Sequence, residues 1–440
     1  MSATSPSLSS DTIVLHGGNF RHDPATSATT VPIYQTTSFD FPDTATAIKI
    51  VNFEQLAYTY SRVVNPTVNA FEERLAALEG GAAALGLASG QAAVAIAVLT
   101  LVEAGDNIVS SPDLYGGTVH FFRERLKQFG IEARFVDPAD PENFRRATDA
   151  RTRLYFGESL PNPKLSVFPI AEVAALGRPL GIPLIIDNTA APLAIAPFDH
   201  GAAITVYSAT KYIGGHGTTI GGAIVDSGTF PWADFPERQP LLLRPDPGYG
   251  NRTYLELSAS FGPVAYLTRA RAALLRDLGP SLAPQNAFLL LQGLETLPLR
   301  LQRHFDNAAK VADYLAHHPK VARVVYPGLQ TGLDRARADA YLKYGYGGLV
   351  GFEPVGGEAA AFAFIDRLKL FYHLANIGDA RSLAIHPAST THAQLDAQQL
   401  AAAGITPAFV RLSIGLEDPN DIIADIAQAL EGGDASKGAG

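Results

Sequence analysis

Three short polar clusters, each following an apolar run, hold residue types that could do chemistry. Pro183-Leu184-Ile185-Ile186 runs into Asp187-Asn188-Thr189, and Ile204-Thr205-Val206-Tyr207 runs into Ser208-Ala209-Thr210-Lys211. A third run, residues 82–88, ends in Ser89-Gly90-Gln91. A lysine amine can form an imine with an aldehyde and, once freed, carry a proton. A carboxylate can hold a proton on a heterocyclic nitrogen. A small-residue turn that opens a helix offers unpaired amides and a positive dipole end to a phosphate. Singly, each feature has an ordinary explanation: a helix cap for the aspartate, a solvated surface site for the lysine, a common turn for Ser-Gly. In this order, each at the end of an apolar run, they form a set.

That set meets the needs of pyridoxal 5′-phosphate, which requires an imine-forming lysine, an acid for its ring nitrogen and a cradle for its phosphate. Lys211 would carry the cofactor and Asp187 would keep the ring nitrogen protonated. Ser208, Thr210, Gly90 and Gln91, with Ser89 opening the helix, would bind the phosphate.

The elements that must position these residues alternate. Helical patterns at 68–79, 91–103, 117–129 and 170–180 interleave with strand patterns at 107–111, 134–137, 153–157, 183–187, 204–208 and 222–226. Such alternation argues for an α/β chain with a mostly parallel sheet covered on both faces. Ligands of such sheets bind at the carboxyl ends of the strands, where all three clusters fall. Helices at 265–277 and 299–317, with a Pro- and Gly-rich loop between them, precede strands at 321–325, 347–352 and 410–414; these suit a smaller α+β domain. The expected organisation is an arm (1–65), irregular over 1–60, a large domain (66–290), a small domain (291–432) and a disordered tail (433–440).

Composition narrows the function. Hydrophobic residues make up 47% and charged residues 18% of the 440, enough to bury a large core. The net charge of -9 without a basic block argues against nucleic-acid or anionic-membrane partners. With no cysteine, disulfides, thiolate metal sites and a cysteine nucleophile are excluded. The most apolar window, 82–102, is interrupted by Ser89-Gly90-Gln91 and flanked by Glu79 and Glu103, which fits two buried elements better than a membrane span. The polar, Ser-rich first ten residues lack a secretory pattern, and a cytoplasmic chain is expected. Neither His317-His318 nor the loop residues His386 and His392 have a ligand-like carboxylate pattern around them, so no metal is expected. A nicotinamide-dependent oxidoreductase would need a Gly-rich dinucleotide turn that 85–93 does not supply.

Ser208-Ala209-Thr210-Lys211-Tyr212-Ile213-Gly214-Gly215-His216 resembles the lysine motif of the Cys/Met-metabolism PLP enzymes. Tyr60-Ser61-Arg62 with Asn65-Pro66-Thr67, and Asp187-Asn188-Thr189, are similar to further motifs of that family, and the resemblance spans residues 16–430. Residues 375–383, 386–392, 289–297 and 411–417 are most similar to its O-acetylhomoserine sulfhydrylase branch. At Asn376 the cystathionine lyases tend to have serine, and at Gly117 the methionine γ-lyases tend to have cysteine. Two positions depart from the family: Ala203, where aspartate is common, and Gly250, where histidine often follows the tyrosine. They bear on substrate choice or local packing.

The resemblance implies an aspartate-aminotransferase-like large domain and further roles. Tyr115 would stack on the cofactor ring and aid proton transfer, and Asn162 would hydrogen-bond the ring hydroxyl. Arg411 would bind the substrate carboxylate, helped by Asn376 and Ser382. Tyr60 and Arg62 would reach a neighbouring subunit's phosphate, making the chain a homo-oligomer, dimer or tetramer, with shared active sites and an arm unable to pack on its own lobe. The implied reaction is γ-replacement, in which O-acetylhomoserine and sulfide give homocysteine and acetate. The alternatives are γ-elimination of the cystathionine or methionine γ-lyase type, and use of the O-succinyl ester. Met1 is the only sulfur-bearing residue, which would suit an enzyme made under sulfur starvation; Leu, Ile and Val fill cores equally well without that pressure.

Overall fold

The computed structural model describes residues 8–393 and 395–432. Its centre is a seven-stranded sheet of β1 (Ala83–Leu87), β2 (Asn107–Ser110), β3 (Glu132–Phe135), β4 (Thr152–Glu158), β5 (Leu184–Asp187), β6 (Ile204–Tyr207) and β7 (Gly222–Asp226), in the order β1-β7-β6-β5-β4-β2-β3. Only β7 runs against its neighbours. β1 is apolar throughout and β5 and β7 are apolar apart from a terminal acid, as suits a sheet covered on both faces, whereas the edge strand β3 is only partly buried. Alternate residues feed two cores: Tyr155, Ile186, Tyr207 and Val225 point to one, and Leu154, Phe156, Ile185, Val206 and Ile224 to the other. Each large side chain so buried contributes roughly 1.5–3 kcal/mol.

A second sheet, of β8 (Val321–Val325), β9 (Leu349–Pro354), β10 (Tyr372–His373), β11 (Leu383–Ile385) and β12 (Val410–Ser413), has the order β10-β11-β12-β9-β8 and is antiparallel except for the β10–β11 pair. The expected disordered tail lies outside the described residues.

The first 60 residues contain α1 (Ser10–His16) and α2 (Thr44–Val51), where the sequence suggests only irregular structure. α1 also packs on its own lobe, contrary to an arm that could not. Val14 is buried, Ser10 Oγ lies 2.8 Å from Tyr344 OH, and the amide of Asn19 donates to Glu73 Oε2 at 2.8 Å. A seven-residue helix depends on tertiary packing for its stability, and that packing is not written in its own segment. The later arm leaves Ile48, Val51 and Leu56 exposed but also touches its own lobe, where Phe53 packs on Tyr249 and Arg252 donates to the Asn52 carbonyl at 3.0 Å.

α3 (Pro66–Glu79) starts where Asn65 accepts the Thr67 amide and Pro66 takes the first position, and it stops at Gly80 in the left-handed region. α4 (Gly90–Leu99) is capped by Ser89, which accepts the Ala92 amide at 3.1 Å. The apolar window 82–102 therefore resolves into β1, a turn and α4, and no helix among the described residues is long and apolar enough to cross a membrane. α5 (Gly116–His120) follows Tyr115 and continues through a π-helical segment, Phe121–Arg125, in place of one uninterrupted helix. The helix expected at 265–277 carries a similar π segment, Ala270–Leu275. A single wide turn leaves little trace in a 3.6-residue pattern. The Pro- and Gly-rich stretch expected as loop contains a helix, Pro284–Glu295, because its proline takes the first-turn position that needs no amide hydrogen.

Candidate active site

The strand ends converge as the alternating pattern requires. Ser89, Gly90 and Gln91 follow β1, Tyr115 follows β2, Asn162 follows β4, Asp187 closes β5, and Ser208, Thr210 and Lys211 follow β6. All lie on the carboxyl edge of the parallel strands.

From the second sheet, Arg411 on β12 and the loop between β10 and β11 reach the same edge. Lys211 Nζ donates to Asn376 Oδ1 at 2.5 Å, and Arg411 Nη2 donates to the Asn376 carbonyl at 2.8 Å. Arg411 Nη1 lies 3.4 Å from Asn162 Oδ1, a weak contact. Burial, then the nearby Arg411 charge, lowers the Lys211 pKa to about 8, so a minor but far from negligible neutral fraction exists near neutrality. Arg411 is buried, has no carboxylate partner among the described residues, and leaves Nε without a hydrogen bond. Burial depresses its pKa to about 10. A buried guanidinium without an anion is costly, and a carboxylate ligand would relieve that cost through charge-assisted hydrogen bonds.

Asp187 is pushed up to about 6 by burial, against hydrogen bonds from the Thr189 side chain and amide that favour its charged form. Thr189 orients both sides of the site: its amide donates to Asp187 Oδ1 at 2.9 Å, and its hydroxyl accepts the Ser208 amide at 2.8 Å. Beside Asp187, in register on β4, stands Glu158, a second buried carboxyl that the sequence reading missed. Its signal was an acid closing an apolar strand, the same signal that marks Asp187.

The phosphate cradle passes a test of fit. A Cβ on Gly90 would lie 2.5 Å from Ser208 Cβ, and one on Gly222 would lie 2.0 Å from the Ser89 carbonyl. The Ser89–Gly90 turn is thus pressed between β7 and the lysine loop, and only glycine admits that approach. The Gly90 and Gln91 amides fall in the first turn of α4, where they lack intrahelical partners. The Ser208 hydroxyl has no hydrogen-bond partner among the described residues. Thr210 differs: its hydroxyl donates to the Gly221 carbonyl at 3.2 Å and accepts the Gly221 amide at 3.0 Å.

Among the other expected residues, Tyr60, Arg62 and Ser382 lie apart from this cluster. Tyr60 and Arg62 contact one another, with the guanidinium 5.1 Å from the ring centroid, and neither hydrogen-bonds to a residue of the cluster. Ser382 is buried; its hydroxyl donates to Glu417 at 2.9 Å and accepts the Gly415 amide at 2.9 Å, which fixes the loop that carries Asn376. Tyr115 is half-exposed at the mouth of the site, its ring over Gly117, where a Cβ would come within 2.5 Å of the ring. A cavity of about 170 Å³ opens beside it, lined by Leu114, Gly116, Asn162, Lys164 and His392 among others. His386 and His392 make local hydrogen bonds, to Ser389, Pro407 and Thr391. No group of three potential ligands for a metal occurs among the described residues.

The model of the family described as Cys/Met metabolism PLP-dependent enzyme matches residues 11–431. An O-acetyl-L-homoserine sulfhydrylase of Leptospira meyeri is 49% identical over 428 residues, 96% of each chain. The homocysteine/cysteine synthase of Saccharomyces cerevisiae is 45% identical, with 96% of this chain and 97% of that one covered. A crystal structure of a Campylobacter jejuni chain described as an O-acetylhomoserine (thiol)-lyase, carrying N′-pyridoxyl-lysine-5′-monophosphate, is similar with a TM-score of 0.91. It is 40% identical, with 96% of this chain and all of that one covered.

Proposed function

The chain belongs to the Cys/Met metabolism PLP-dependent enzymes, and from that premise we propose that it performs γ-replacement, converting O-acetylhomoserine and sulfide to homocysteine and acetate. The observation that carries this reading is the lysine amine of Lys211, held by Asn376 beside a buried Arg411 that lacks an anion. An amino acid would place its carboxylate on Arg411 and its α-carbon near Lys211. The names of the relatives supply the ester and the sulfur nucleophile.

Pyridoxal 5′-phosphate supplies an electron sink for negative charge on the substrate carbons. The protein does the rest. Lys211 holds the cofactor and, as a neutral amine, takes the α-proton. Asp187 holds the proton on the ring nitrogen. Tyr115 covers the ring and assists proton movement near the leaving acetate, and Asn162 hydrogen-bonds the ring hydroxyl. Ser89 positions the Gly90 and Gln91 amides, which bind the phosphate with Ser208. Thr210 contributes by bracing the lysine loop against Gly221. Ser382 acts on the substrate through the Asn376 loop. At the γ-carbon the C–O bond to acetate breaks and a C–S bond forms; the protons taken from carbon return to the product.

Tyr60 and Arg62 are read as acting on the phosphate of a second copy of the chain, which makes the enzyme a homo-oligomer. Their separation from the cluster and the exposed apolar residues of the later arm support this. The chemistry is tested by product analysis with and without sulfide. Homocysteine and acetate should form in equal amounts, and only when sulfide is present. Ammonia and a 2-oxo acid formed without sulfide would show a lyase, and turnover of only the O-succinyl ester would correct the substrate.

A further inference from the structure

Glu158 has no role in the chemistry described so far, yet it touches three parts of the site. It closes β4 directly opposite Asp187, and paired strands lie roughly 5 Å apart with their paired side chains on the same face. Glu158 Oε1 accepts the Tyr115 amide at 2.5 Å, and the Asn162 amide also donates to this carboxyl group. No lysine, arginine or histidine forms an ion pair with Glu158 or Asp187 among the described residues. The charged groups facing Glu158 are Asp187 and Asp113, and Asp113 is already paired with Lys164 at 2.7 Å.

We propose that Glu158 is a positioning residue of the cofactor site: a neutral carboxylic acid that ties Tyr115 and Asn162 to the strand end beside Asp187 and leaves the single negative charge of the pair on Asp187. Two adjacent buried carboxylates without a cation cannot both be charged at modest cost. Each carboxyl accepts two hydrogen bonds, so the charge goes to Asp187 because it faces the protonated ring nitrogen. Burial and the Asp187 charge both push Glu158 well above the usual carboxylate range. A neutral Glu158 gathers the ring-stacking residue, the ring-hydroxyl partner and the ring-nitrogen partner without adding a second anion.

This rests on the reading that Asp187 faces the ring nitrogen, so Asp187→Asn is run alongside. For each holoenzyme two quantities are measured: cofactor release on dilution, and the pH midpoint of the bound cofactor's absorbance change. Glu158→Gln, which copies the shape of the neutral acid, should bind cofactor within about twofold of the native protein and keep the midpoint. Glu158→Ala should bind about tenfold or more weakly, the effect of losing a buried hydrogen-bond anchor. Should the alanine variant not fold, Glu158→Asp takes its place, because its shorter side chain cannot reach the Tyr115 amide from the same strand position. A midpoint moved by about a unit or more in Glu158→Gln would show that an anion had been removed and would overturn the proposal. Native-like cofactor retention in the shortened variant would overturn it as well. Native-like cofactor binding in Asp187→Asn would instead refute the ring-nitrogen reading, with the Glu158 anchor still judged by its own shortened variant.

Discussion

The depressed pKa of Lys211 can be tested directly on cofactor-free protein. A lysine at its ordinary value of 10.5 would be neutral in about one molecule in three thousand at pH 7. At about 8, it is neutral in about one in eleven. The site thus raises the reactive amine concentration about three hundred-fold at this pH. Burial is the larger cause and the Arg411 charge the second. Arg411→Gln should therefore raise the midpoint above about 8 while leaving it below 10.5. The assay is the pH dependence of trapping a small aldehyde on Lys211 with cyanoborohydride, read by peptide mass. The sign for stability is also fixed. The folded protein holds this proton less tightly than the unfolded chain, so cofactor-free protein should gain stability as pH rises from about 8 toward 10.5 and carry the full cost below 8. A Lys211 midpoint near 10.5 in the native protein, or a lower midpoint in Arg411→Gln, would refute this electrostatic account.

Three further outcomes follow from the geometry. Lys211→Ala should fold and lose turnover by orders of magnitude, as steady-state assays with O-acetylhomoserine and sulfide will show, because the cofactor anchor and the proton carrier are the same amine. Mixing the inactive variants Arg62→Ala and Lys211→Ala should restore some activity, since a hybrid assembly contains a site with both native residues; no recovery in well-mixed hybrids would argue for a site built within one chain. Gly90→Ala should weaken retention of the cofactor phosphate, measured by dialysis, because the added methyl would meet Ser208 Cβ at 2.5 Å.

The large-domain half of the candidate site was legible because β5 and β6 are short, mostly apolar and give way abruptly to Asp187 and Ser208. A parallel sheet buried on both faces writes its boundaries in this way. The contacts that complete the site were not legible as geometry. Lys211 and Asn376 are separated by 165 positions, and no local pattern states how the second sheet sits on the first. Glu158 was passed over because an acid at a strand end usually caps or faces solvent, and only its pairing with Asp187 sets it apart. The Thr210 hydroxyl, expected on phosphate, is engaged by a backbone segment eleven residues away. Local signals also misread the helix that begins at Pro284 and could not register the widened turns at Phe121–Arg125 and Ala270–Leu275.

The most direct test of the account is chemical reduction of the holoenzyme with borohydride, followed by digestion and mass mapping of every lysine peptide. The account predicts one pyridoxyl phosphate adduct per chain, on the peptide containing Lys211. An adduct on any other lysine, or no adduct on Lys211 in protein purified with its cofactor, would contradict it.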